Sequence, residues 1–252
     1  MSHGAGGQVN RAGAVDALPL HMTLWQRVDP RSPPADIARL LADASAAPFS
    51  DRDTHTDFVR RLDGPQHGDE ARAARYLEAL ARVRRLADEG RSLTWEVAAA
   101  IQGVVLGLDG PAEVRSGEAF ARGGEHRYAC LPDLQERFAA RLALWDAADV
   151  DPVVAACGVY LDIIFLHPFV DGNARAARLA YELLLRRARR PVPRLEDLLR
   201  LRKRPGDADD FWRLVRLSAA SIAGLARRCP HGERTGDGAR PVPDDAGGGP
   251  SR

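Results

Sequence analysis

Lysine is almost missing from this chain. Lys203 is the single lysine among 36 basic residues, and the rest are arginine. Beside so much Ala, Gly and Pro, this reads as high-GC codon usage rather than selection for guanidinium chemistry. Excess charge of one sign is missing too. The formal net charge of +1 gives no global electrostatic case for nucleic acid or an anionic membrane as partner. Cysteine is scarce: Cys130, Cys157 and Cys229 show no CxxC spacing and leave an odd one, which argues against a disulfide framework or a zinc site. No apolar run is long enough for a membrane span, and the first residues carry no apolar signal-peptide region. The expectation is a soluble cytoplasmic protein. Neither the P-loop pattern GxxxxGK[ST] nor the dinucleotide pattern GxGxxG occurs, and no repeat of fixed period appears.

What is present is helical periodicity. Residues 1–19 are Gly-rich and polar, and 229–252 are Gly, Pro and charge; both are expected to be disordered. Between them, a single domain is expected over 20–228. Ile37, Leu40 and Leu41 predict a short helix, and Phe58, Val59 and Leu62 another, stopped at Asp63-Gly64-Pro65. Tyr76, Leu77, Leu80, Val83 and Leu86 predict a strong helix over 71–88. A further helix is expected over 94–106, capped by Ser92 or Thr94. Val114 to Tyr128 reads as a loop with a small β-hairpin turning at Gly123-Gly124. Helices follow over 133–147 and from Asp151-Pro152 to about 166, the latter apolar on nearly every side and so central. Three more are expected over 173–188, 195–202 and 207–226. The fold class is all-α, with about seven or eight helices and one hairpin.

The chemistry concentrates between two of these helices, in His167-Pro168-Phe169-Val170-Asp171-Gly172-Asn173-Ala174-Arg175-Ala176-Ala177-Arg178. Gly172-Asn173 can turn sharply and present successive backbone N–H groups at a helix N-terminus, which is an anion site. Arg175 and Arg178 are three apart and point to one side of the first turns, and two guanidinium forks suit a polyphosphate. Asp171 beside that anion is placed to hold Mg²⁺. His167, at the end of the preceding helix, can take a proton from a hydroxyl. Together these are parts for phosphoryl or nucleotidyl transfer.

This stretch resembles the Fic-family signature HxFx(D/E)GNGRxxR. His167, Phe169, Asp171, Gly172, Asn173, Arg175 and Arg178 match, and Ala174 departs where Gly is usual. The resemblance covers about 70–190 and implies a Fic-like helical core with a flap. It further implies transfer of AMP from ATP to a protein hydroxyl. His167 would be the base and Asp171 the Mg²⁺ ligand. Asn173 and the Gly172 backbone would hold the α-phosphate, and Arg175 and Arg178 the β- and γ-phosphates. Phe169 would be the buried anchor. The hydroxyl-bearing target would dock by strand pairing on a flap near 112–130. If Ala174 requires positive φ, its Cβ costs roughly 1 kcal/mol; in helical φ it is harmless. Two alternatives stay open: transfer of phosphate or another nucleotide, to a protein or small molecule, and a non-catalytic nucleotide-binding or toxin–antitoxin interaction module.

Many members of that family carry an inhibitory helix [S/T]xxxE[G/N]. No stretch fits. Glu89-Gly90 has Arg85 where a hydroxyl belongs, Ser92 and Glu96 are followed by Val97, and Glu233 is followed by Arg234. Regulation then falls to a separate inhibitory chain, or the enzyme is always on with a restricted target. Other features keep plainer readings. Arg186, Arg187, Arg189 and Arg190 read as a solvated helix end. Cys157, Tyr160 and Tyr181 read as packing, and so does His55; His126 in the flap can meet a target. Glu182 stands four residues from Arg178 and can pair with it in competition with phosphate.

Overall fold

The computed structural model describes residues 28–50, 53–62, 69–121, 126–201, 203–204 and 207–228. Nine helices lie among these described residues. They are α1 (Ala35–Ser45), α2 (Thr54–Leu62), α3 (Glu70–Asp88), α4 (Trp95–Leu106), α5 (Leu134–Trp145), α6 (Pro152–Leu166), α7 (Asn173–Arg187), α8 (Glu196–Arg200) and α9 (Ala208–Arg228). Strands β1 (Ala119–Ala121) and β2 (His126–Tyr128) stand between α4 and α5. The all-α expectation holds, and the short helices expected at Phe58–Leu62 and over 195–202 are present as α2 and α8. The expected disordered ends, the stop at Asp63-Gly64-Pro65 and the Gly123-Gly124 turn lie outside the described residues.

Helix α6 is the axis of the core. Asp151 starts it by accepting hydrogen bonds from the Val153 N–H at 2.8 Å and the Val154 N–H at 3.4 Å, with Pro152 in the first turn. Every residue from Val153 to Ile163 is buried, as suits a helix packed on all sides. α7 packs along it, α5 covers another side, and α9 closes a third while also holding α1. α7 in turn leans on α3 and α4. Gly158 permits α5 to approach α6 closely, because a Cβ there would fall 2.4 Å from the Trp145 indole.

Among the capping candidates at the start of α4, Thr94 is the one used; its hydroxyl accepts from the Val97 N–H at 3.4 Å. The helix buries Ala98, Ala99, Ile101, Gln102, Gly103 and Val105, with Val97 and Val104 half-buried against the core. The β-hairpin is shorter than expected. β1 pairs antiparallel with β2, Ala119 opposite Tyr128 and Phe120 opposite Arg127, while the chain before Ala119 has no strand pairing. Cys130 and Cys157 are both free thiols. No helix of the described residues is long and apolar enough to cross a membrane.

Candidate active site

Two helices meet end to start at the site. α6 ends at His167, which leaves the helix in the left-handed region with φ 50°. Pro168 follows and has no N–H with which to continue the helix. A non-glycine residue held there stores strain of about 1–2 kcal/mol, which flags the position as constrained by something besides local preference. That constraint is visible on both sides of the ring. The His167 Nδ1 faces the Ile164 carbonyl at 3.2 Å. The Tyr128 ring of β2 stacks on the imidazole, with centroids 4.0 Å apart and planes 15° from parallel. Burial pushes the His167 pKa below its ordinary 6.5, Arg115 adds to that, and the Ile164 carbonyl and Asp171 oppose it.

The loop from Pro168 to Gly172 is shaped by one buried side chain. Asn173 is 2% exposed, and its carboxamide grips the Phe169 backbone from both directions. Its Oδ1 accepts from the Phe169 N–H at 3.0 Å, and its Nδ2 donates to the Phe169 carbonyl at 2.8 Å. Phe169 is fully buried, stacked on Trp95 with centroids 5.6 Å apart. The Asn173 carboxamide, expected to hold a phosphate, is thus engaged inside the loop.

Gly172 has φ 72°, and its carbonyl begins α7 by accepting from the Arg175 and Ala176 N–H groups. Glycine is demanded by that conformation, and a Cβ there would also press on the Gln102 amide nitrogen, 2.7 Å away. Gln102, buried on α4, donates to the Asp171 carbonyl at 2.6 Å and holds the loop from below. The Asp171 side chain is 75% exposed, and Arg175 Nη2 stands 3.4 Å from its carboxylate. Ala174 lies inside α7, exposed, and is not among the positive-φ residues. Its Cβ therefore carries no conformational penalty.

The two arginines share a sector of α7 but meet different neighbours. Arg175 reaches the last turn of α4, with Nη1 3.4 Å from the Val105 carbonyl. Arg178 turns toward α3 and α2. It is 9% exposed, its Nε donates to the Tyr76 hydroxyl at 2.9 Å, and its guanidinium lies 5.0 Å from the Phe58 ring centroid. The expected alternative partner, Glu182, is engaged with His55 at 2.6 Å and Arg84 at 2.7 Å.

Arg115 is the residue that sequence reasoning missed most completely. It is 5% exposed, and its guanidinium donates to the carbonyls of Leu166, His167, Gly117 and Ala129. Its own N–H donates to the Pro168 carbonyl at 2.9 Å. One side chain thus caps the C-terminal carbonyls of α6 and ties both approaches of the hairpin to the loop. It lies in a stretch with no periodicity, so nothing in the sequence marked it. The arginine run at the end of α7 is largely occupied by structural contacts. Arg186 pairs with Asp88, Arg187 with Asp146 and Arg190 with Ser45, while Arg189 lies over Phe49.

Residues 95–185 match the model of the Fic/DOC family. That stretch holds α4, the hairpin, α5, α6, the loop and nearly all of α7, so the matched segment contains the site. Solved structures share the fold. A Fic family protein from Desulfovibrio desulfuricans G20 is 16% identical with a TM-score of 0.55, covering 80% of this chain and 76% of that chain. A Fic domain containing signaling protein from Bacteroides thetaiotaomicron VPI-5482 is 17% identical with a TM-score of 0.53, covering 77% and 94%. Fic-1 from C. elegans is 16% identical with a TM-score of 0.52, covering 77% and 70%. No curated protein matches the sequence.

Proposed function

We propose that this chain transfers AMP from Mg·ATP to a hydroxyl on a protein side chain. The observation that carries the reading is the state of His167. Its Nδ1 faces a carbonyl, an acceptor, so the ring proton belongs there and Nε2 is the basic atom. Its lowered pKa keeps the ring neutral at neutral pH, as a general base requires. In the reaction, His167 Nε2 takes the proton of the target hydroxyl as its oxygen bonds to the α-phosphorus. The bond from the α-phosphorus to the bridging oxygen breaks, and pyrophosphate leaves.

The start of α7 supplies the anion contacts. Backbone N–H groups at Gly172 and Asn173 would hold the α-phosphate, and Arg175 and Arg178 the outer phosphates. Ala174, in helical conformation, is compatible with that turn. Asp171 fits a magnesium ion, because its carboxylate is a hard oxygen donor, largely exposed beside the start of α7. A single protein carboxylate suits an ion that takes its remaining ligands from phosphate and water. Such an ion would supply neutralisation of charge on the phosphates.

The hairpin is the docking platform for the target. Two strands alone leave an outer edge on each for pairing, Phe120 is 59% exposed on β1, and Val170 is 75% exposed on the loop beside it. Tyr128 links that platform to the base, since it belongs to β2 and stacks on His167.

The test uses ATP labelled at the α- or the γ-phosphate, incubated with cell lysate. Label should enter protein from the α position only, and His167→Ala should lower it by about a hundred- to ten-thousandfold. Label from the γ position alone would mean phosphate transfer instead. His167→Ala labelling as well as the unaltered protein would overturn the mechanism.

A further inference from the structure

Behind the site runs a buried hydrogen-bonded chain that the reaction as described does not use. It begins at Arg178, whose Nε donates to the Tyr76 hydroxyl at 2.9 Å. The Tyr76 hydroxyl lies 2.9 Å from His55 Nε2. His55 Nδ1 donates to Glu182 Oε2 at 2.6 Å. The other oxygen of Glu182 accepts from Arg84 Nε at 2.7 Å. Arg84 ends the chain with a two-pronged contact to Asp53, at 2.9 and 2.6 Å. Tyr76, His55 and Glu182 are at most 1% exposed.

Three helices contribute, with His55 from α2, Tyr76 and Arg84 from α3, and Glu182 and Arg178 from α7. Glu182 is one turn along α7 from Arg178, yet its two oxygens are each directed elsewhere. It acts on Arg178 through His55 and Tyr76.

We propose that Tyr76, backed by His55 and Glu182, is the positioning residue that sets the Arg178 guanidinium for the outer phosphates of the nucleotide. This rests on the reading of Arg178 as a triphosphate ligand. A guanidinium recognises phosphate through a planar fork, so its roll about the side-chain axis decides whether two N–H groups or one meet the anion. The Tyr76 contact at Nε fixes that roll from behind, and Phe58 packs on the guanidinium. A hydroxyl does this without adding charge, so it orients Arg178 without offsetting its attraction for phosphate. His55 holds the hydroxyl in turn, donating or accepting at Nε2 according to its protonation, and Glu182 holds His55.

The experiment is calorimetric titration of the full chain with Mg·ATP and, separately, with AMP, alongside thermal melts. Tyr76→Phe removes one oxygen and keeps the ring. It should weaken ATP by about tenfold, the scale of one lost hydrogen bond to a charged group, and leave AMP within about twofold. Arg178→Ala should weaken ATP at least as much, and the double variant no further than Arg178→Ala alone. Glu182→Gln should shift ATP in the same direction as Tyr76→Phe, more weakly. A merely structural role would lower the melting temperature and weaken both nucleotides alike, which overturns the proposal. So does unchanged or tighter ATP binding in Tyr76→Phe when Arg178→Ala weakens it; the site reading then survives alone. If Arg178→Ala leaves ATP binding unchanged, the reading of Arg178 as a phosphate ligand fails and the proposal fails with it.

Discussion

Two carboxylates are buried in this protein to the same depth and behave in opposite ways. Asp162 on α6 and Glu182 on α7 are each 1% exposed. Asp162 accepts from Arg141 Nε at 2.9 Å and from the Trp145 indole N–H. Burial pushes its pKa up, and Arg141 and Trp145 only partly offset that. Glu182 also pays for burial, yet the hydrogen bond and charge of His55, with the charge of Arg84, hold its pKa below the ordinary value. Depth alone therefore does not decide which way a buried acid's pKa moves; the kind of its partners does. Position separates them further. Asp162 ties α6 to α5, away from the loop, whereas Glu182 connects through His55 and Tyr76 to Arg178.

The comparison can be broken most directly by truncation. Glu182→Ala strands a fully buried His55 and one face of Arg84, and should cost about 3–5 kcal/mol in denaturant unfolding. Asp162→Ala strands the Trp145 indole and an Arg141 that is 19% exposed and can recover water, so about 1–3 kcal/mol is expected. Equal losses would mean that the partners do not distinguish the two sites. A smaller effect sharpens the functional contrast. Asp162→Asn should leave ATP affinity within about twofold, while Glu182→Gln lowers it by several-fold. ATP binding that weakens in both would make the loss general rather than specific to the chain behind Arg178.

The smallest effect is in acid stability, where the two slopes have opposite sign. The folded Asp162 binds its proton more tightly than the ordinary aspartate value of 3.8 implies, so stability falls as pH rises from there toward its raised pKa. Asp162→Asn should flatten that fall. The stability from Glu182 is present above its ordinary 4.5 and is lost as pH drops through its lowered folded pKa. Glu182→Gln should remove that acid loss. Unfolding midpoints measured across the acid range in both variants check the signs, and slopes of the same sign would contradict the pKa directions.

Much of the framework was legible from residues near each other in the chain. The repeats at three and four that predict helices over 71–88 and 133–147 are local, and so are the Asp151-Pro152 start and the short run that brings His167, Asp171, Gly172 and Arg175 together. Local geometry even answers the question posed by Ala174, because a residue two steps past Gly172 is already in the helix. The orientation of Arg178 was not legible. Spacing on α7 placed it near Arg175, but its partner Tyr76 lies 102 residues away and reads in sequence as one more core aromatic. His55 kept a plain reading for the same reason, as its carboxylate partner is 127 residues distant.

His167–Arg178 thus owes its chemistry to sequence and its posture to tertiary structure. By itself the sequence determined an all-α chain with an imidazole, a carboxylate, a glycine turn and two arginines within twelve residues, because helix period and turn chemistry depend on neighbours a few residues apart. Only the folded chain decided that Asn173 braces Phe169, that Arg115 and Tyr128 hold His167 from the hairpin side, and that Arg178 rests on Tyr76. Those contacts join residues on separate elements, and they exist only once packing has brought α3, α6, α7 and the hairpin together around the same few ångströms.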